Sequence, residues 1–114
     1  MRKHPVLGVD TVGAARVVHL GGELDLYNAA QVRAGLAEAC AETPERVVVD
    51  LSEVEFIDST ALGVLIETRA KLDNRGGLLL AAPGLETRRA LQISGLDKLF
   101  TVHDTVPDAL GEKG

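Results

Sequence analysis

Asp58-Ser59-Thr60 sets a carboxylate beside two hydroxyls, directly ahead of an apolar helical pattern in Leu62, Leu65, Ile66 and Leu72. Asp and Ser favour helix N-caps because their side-chain oxygens accept orphan backbone N–H groups. Spacing alone therefore makes this tripeptide a cap, with a serine hydroxyl at the positive end of a helix. A nucleophilic role for Ser59 needs a base in hydrogen-bond reach and an oxyanion hole. The surrounding residues do not form a G-x-S-x-G elbow. His4 is terminal, His19 falls in a strand pattern and His103 follows one, so all three read as surface or sheet residues rather than catalytic bases. No phosphate-binding loop, dinucleotide glycine pattern or paired-His metal spacing occurs, so neither cofactor nor metal is expected. Cys40, the single cysteine, lies on an apolar helical face and reads as a small buried hydrophobe.

The elements that must hold Ser59 follow from pattern. Val47, Val48, Val49 and Leu51, broken by Asp50, form the apolar run of a strand buried on both faces, with Val48 fully buried. Asp50 is then either the solvent end of that strand or part of a polar rim. Upstream, Val6 to Val12 and Arg16 to Leu20 flank a Gly13-Ala14-Ala15 turn and predict an antiparallel hairpin. Gly21-Gly22 ends it and opens a loop, Glu23 to Tyr27. Asn28 with Gln31 has capping-box spacing, and Val32, Leu36, Ala39 and Cys40 share one helical face up to the stop at Pro44.

Downstream, Asn74 to Gly77 stops the second helix with a glycine for the left-handed cap. Leu78 to Ala82 is a buried strand, and Leu85 to Ile93 an amphipathic segment with Arg88 and Arg89 exposed, broken by Gly95. Leu99 to Val102 is a last strand, and Thr105 caps a final turn containing Pro107 and Asp108. Strands alternating with helices predict an α/β fold: a mostly parallel mixed sheet with an N-terminal hairpin and about four helices.

The 114 residues suit one domain spanning 1–114. Lys plus Arg number 12 against 17 Asp plus Glu, a net charge of −5 that argues against direct nucleic-acid binding. Aromatics are scarce, which argues against base stacking and predicts an aliphatic core. No apolar run reaches membrane-spanning length and the N-terminus is not a signal peptide, so a cytoplasmic protein without membrane attachment is expected.

The stretch VVVDLSEVEFIDSTALGVLI resembles the signature of STAS domains, in particular the bacterial anti-sigma factor antagonists. GGELDLYNAAQVR is similar to that family's loop and first helix, and SGLDKLFTVHDTVPDAL to its C-terminal segment. The resemblance implies that Ser59 is a phosphorylation site, with Thr60 a lesser alternative. It also implies that Asp25, Asp58, Ser59, Thr60 and Ala61 belong to a partner-binding face. Many antagonists carry Gly where Ala61 stands, so this chain adds a methyl near the partner's approach. Glu23 shares the loop with Asp25; Asp25 is the stronger candidate because GELD matches the family segment.

By the same resemblance the unphosphorylated protein binds an anti-sigma factor with serine kinase activity and frees a sigma factor. Phosphorylation ends that binding, a serine phosphatase restores it, and the protein itself is a monomer or weak dimer with no catalytic activity. The alternatives are a STAS scaffold or lipid-transport accessory that is never phosphorylated, and a small hydrolase using Ser59.

Overall fold

Residues 4–72 and 77–111 are described in a computed structural model. The hairpin forms from β1 (Val6–Val12) and β2 (Ala15–Leu24), turning on Gly13 at φ +58°. The chain continues through α1 (Ala29–Cys40), β3 (Arg46–Ile57), α2 (Ser59–Lys71), β4 (Leu78–Ala81), α3 (Leu85–Ser94), β5 (Thr101–His103) and α4 (Val106–Ala109), with a 3-10 turn at Leu96–Lys98. The sheet order is β1-β2-β3-β4-β5; β1 pairs antiparallel with β2, and all other neighbours are parallel. This is the mixed α/β architecture that the strand–helix alternation predicts.

Alternation along β3 assigns the two sheet faces. Val47, Val49 and Leu51 join Val18, Leu20 and Leu80 in a core covered by Val32 and Leu36 of α1, Leu62 and Leu65 of α2, and Leu91 of α3. Val48, fully buried, points the other way into a smaller cluster with Val17, Ala81 and Ala109 of α4. Because α4 is only four residues long, that second face is covered at one end alone. Thr105 caps α4 by accepting the Asp108 N–H at 3.1 Å, as its position predicts.

Several boundaries differ from expectation. The second strand does not end at Gly21-Gly22; it runs on to Leu24, since parallel pairing with β3 continues through Gly22↔Val54 to Leu24↔Ile57. The glycines accommodate irregularities rather than a stop. The β2–β3 register shifts on either side of them, Gly22 takes φ +74°, and a Cβ on Gly21 would lie 2.7 Å from Leu7 Cδ1. The last strand starts two residues late, because the N–H groups of Leu99 and Phe100 both bond the Leu96 carbonyl in the 3-10 turn. His103 closes β5 rather than following it. Ile66 sits 38% exposed on the outer side of α2 instead of in its apolar face. At the end of α2, Gly77 takes φ +76° and its N–H bonds the Leu72 carbonyl; Asn74, Arg75 and Gly76 lie outside the described residues.

Candidate functional site

The site is built where β2 and β3 end side by side. The Asp58 N–H donates to the Leu24 carbonyl at 3.0 Å, tying the first residue after β3 to the last residue of β2. Asp58 itself is extended (φ −100°, ψ 178°), the N-cap conformation, and α2 begins at Ser59. Both carboxylate oxygens of Asp58 are used. Oδ1 accepts the Ala61 N–H at 3.0 Å and caps the helix, while Oδ2 accepts the Leu26 N–H at 3.1 Å from the loop after β2.

That division frees Ser59. The capping oxygen belongs to Asp58, and the exposed Ser59 hydroxyl makes no hydrogen bond among the described residues. Thr60, next on the same turn, is exposed as well. Ala61 behaves differently. It is 1% exposed, with its methyl in the core, so the expectation that this methyl meets an approaching partner is corrected. At the third position of α2 the side chain turns inward beneath the helix, and Ala61 serves the exposed face only through its capped N–H.

The loop beside the helix is held by its own polar groups. Asn28, 6% exposed, accepts the Asp25 N–H on Oδ1 at 2.9 Å and donates from Nδ2 to the Glu23 carbonyl at 2.7 Å. The capping-box reading of Asn28 and Gln31 is therefore corrected: Asn28 makes no side-chain cap bond to α1, because both ends of its amide are committed to the loop. Asp25 is half-buried and its Oδ1 accepts the Tyr27 N–H at 3.0 Å. Held in this way, Leu26 and Tyr27 stand 65% and 85% exposed. Asp25, Asp58, Ser59 and Thr60 thus share one end of the sheet, linked through the Leu26 N–H.

A polar cluster on the less-covered face escaped the sequence reading. His19 Nδ1 lies 2.6 Å from Asp50 Oδ2, and Nε2 lies 2.8 Å from Asp10 Oδ2, so one imidazole bridges β1, β2 and β3. Asp50 also accepts the Ser52 N–H at 3.0 Å. Burial alone would lower the His19 pKa, but its hydrogen bonds to the carboxylates of Asp50 and Asp10 outweigh it and hold the imidazole above its ordinary value. Burial likewise opposes ionisation of Asp50, yet the Ser52 N–H and His19 hold its carboxyl below the usual range. Asp50 is thus neither a strand's solvent end nor part of a rim with Asp25: at 8% exposure it is an interior partner of His19. The available signal was a polar residue interrupting each of two apolar runs, His19 and Asp50, which the parallel register sets side by side.

His19 does not serve Ser59. Both ring nitrogens face carboxylates, and Asp58 lies eight positions beyond Asp50, roughly 25 Å along a strand. Among the described residues, no group of three His, Cys, Asp or Glu side chains is placed to hold a metal ion. What the helix end offers instead is an exposed hydroxyl at the positive end of α2, a setting that tolerates an added anion.

The chain is similar to known proteins over most of its length. The family model described as STAS domain matches residues 7–109. The anti-sigma-F factor antagonist RsfB of Mycobacterium tuberculosis is 39% identical over 94 residues, covering 82% of this chain and 77% of the relative. An anti-sigma F factor antagonist of Paenibacillus polymyxa is 32% identical over 98 residues, 84% of each chain. A crystal structure of an anti-sigma factor antagonist from Mycobacterium paratuberculosis superposes with TM-score 0.84 at 36% identity, covering 90% of this chain and 88% of the other. The fold also matches SpoIIAA in its unphosphorylated form, with TM-score 0.75 at 24% identity over 90% of this chain and 91% of the other.

Proposed function

The chain belongs to the STAS-domain family, and from that premise we propose that it is a cytoplasmic anti-sigma factor antagonist switched by phosphorylation of Ser59. Unphosphorylated, it binds an anti-sigma factor that is also a serine kinase, and so releases a sigma factor for transcription. The kinase supplies the nucleotide and a separate serine phosphatase reverses the mark. The antagonist itself catalyses nothing and touches no DNA.

The observation that carries this reading is the division of labour at the start of α2. Asp58 satisfies the helix end and ties down the neighbouring loop, so the exposed Ser59 hydroxyl is left for a partner or a kinase. A phosphate there adds about −1.5 to −2 charge. The helix N-terminus offsets part of it and Asp58 opposes it, so the fold survives while the surface changes. A partner fitted to a hydroxyl must then accommodate a bulky dianion and strip its water, which blocks the contact.

Isothermal titration of the purified chain against the anti-sigma-factor kinases of its source organism tests the switch. Ser59→Ala retains affinity and loses phosphorylation, with stability changed by less than about 0.5 kcal/mol because Ser59 is not the cap. Ser59→Asp folds normally and binds much more weakly. Equal affinity for wild type, Ala and Asp variants overturns the phospho-switch. A chain that never carries phosphate in its native cell, by mass spectrometry, points instead to a STAS scaffold without a switch.

A further inference from the structure

We propose that Asp10, His19 and Asp50 form a proton-operated latch on the edge strand β1. With its imidazole protonated, His19 fastens β1 to β3 across β2; with the imidazole neutral, it keeps Asp50 and releases Asp10. The latch lies away from the helix end that carries Ser59 and does not depend on the switch there. β1 is the outermost strand, paired with β2 alone, and its register with β2 shifts between Val6 and Gly8, beside His19. That register sets Gly8 directly opposite His19. The facing position therefore offers no side chain, and the ring reaches Asp10, the diagonal neighbour two positions along β1. On its other side His19 is paired with Asp50 of β3. The imidazole thus meets a carboxylate with each nitrogen, Nδ1 to Asp50 Oδ2 at 2.6 Å and Nε2 to Asp10 Oδ2 at 2.8 Å.

An ionised carboxylate can only accept a hydrogen bond, so both contacts are bonds together only when both ring nitrogens carry a proton. Loss of one proton to solvent leaves a single N–H and, on the other nitrogen, a lone pair facing a carboxylate. Burial decides which bond survives. The Asp50 side chain is 11% exposed and its Oδ1 already accepts the Ser52 N–H, so water does not readily take the place of His19. The Asp10 side chain is 68% exposed and turns to water at little cost. The remaining proton therefore stays on Nδ1, and Asp10 leaves. The charged groups that act on the ring are these two carboxylates. Val17 and Gly21, next to His19 on the same face of β2, carry no charge, and Glu53, opposite Gly21, bonds neither ring nitrogen. From the other side α4 meets this face through Val106, Ala109 and Leu110, while Asp108 is exposed. Although burial opposes both charges, the His19 pKa is raised and the Asp50 pKa lowered, as an ion pair of this geometry requires.

The test is NMR on the isotope-labelled full chain, on either side of the His19 titration followed through its ring protons. In the wild type the neutral ring carries its proton on Nδ1, read from the ring nitrogen shifts. Backbone order over Gly8 to Thr11, read by Cα relaxation, falls from about 0.85 toward about 0.6 as the ring loses its charge. Asp10→Asn lowers the titration midpoint, because one carboxylate no longer favours the charged ring. It nevertheless keeps the latch shut on both sides of that midpoint: the introduced amide donates to the neutral Nε2 and accepts from the protonated one. Asp10 is exposed, so this variant folds. His19→Gln leaves β1 loose at every pH, since its single amide nitrogen does not reach both carboxylates. A neutral ring protonated on Nε2 overturns the choice of Asp10 as the group released. Backbone order in β1 that is equal on both sides of the titration, or that falls in Asp10→Asn as it does in the wild type, overturns the latch.

Discussion

His19 lies between two carboxylates contributed by neighbouring strands, Asp10 of β1 and Asp50 of β3. Its pKa is held above the ordinary value of 6.5, so the stability it contributes is complete below that value and is lost as pH rises through the raised one. The Asp50 pKa is held below 3.8, so its contribution is present above that value and is lost as pH falls through the lowered one. Both contributions coexist in the weakly acidic range between the two ordinary values. Urea denaturation across pH 4.5 to 8.5, spanning roughly the carboxylate and imidazole ranges, should show stability declining on the alkaline side. His19→Gln should flatten that decline. An identical alkaline slope in wild type and variant would mean the imidazole is not perturbed by folding.

Among the elements, α1 is the one whose orientation a single chemical probe reads. Val32, Leu36 and Ala39 are buried against the sheet, and Cys40 at its last turn packs partly against the same core. Gly35 lets the helix approach closely: a Cβ there would meet Val6 Cγ2 at 2.7 Å. Burial pushes the Cys40 thiol above its ordinary pKa, with Lys71 pulling weakly the other way. Alkylation in native buffer should therefore be much slower than in denaturant, since only the thiolate reacts. Native labelling at the denatured rate would show that α1 leaves the sheet. In α2 the division between core and surface is sharper, with Ala61, Leu62, Val64 and Leu65 buried while Ser59, Thr60, Gly63 and Ile66 face outward.

At the scale of the whole molecule, the sheet has two unequal faces. Three helices cover one, and α4 covers part of the other over Val17, Val48 and Ala81. Val48→Asp would put an unpaired carboxylate under α4 and should cost about 3 kcal/mol or more. A melt near the parent's midpoint would show that the second face is not closed there. No helix among the described residues is long and apolar enough to cross a membrane. Strands β2 and β3 end together beside the start of α2, and crevices beyond such C-terminal ends are where α/β sheets commonly place binding sites.

By itself the sequence determined the β3–α2 unit, the hairpin, the alternation of strands and helices, and Ser59 at a helix start. All are local: apolar period, turn glycines and caps act within a few residues. Local pattern failed where long-range pairing prevailed. Gly21-Gly22 looked like a stop, but β3 offered β2 a ladder that continued to Leu24. Asn28 looked like a cap, but the loop claimed its amide. Only the tertiary structure decided which of two adjacent residues caps α2, because Asp58 is favoured there by a second bond to Leu26, 32 positions away in sequence. Likewise, only the sheet register joined His19 to Asp50 across 31 positions. Such pairs leave no periodic trace in a single chain, since their energy comes from desolvated contact between strands.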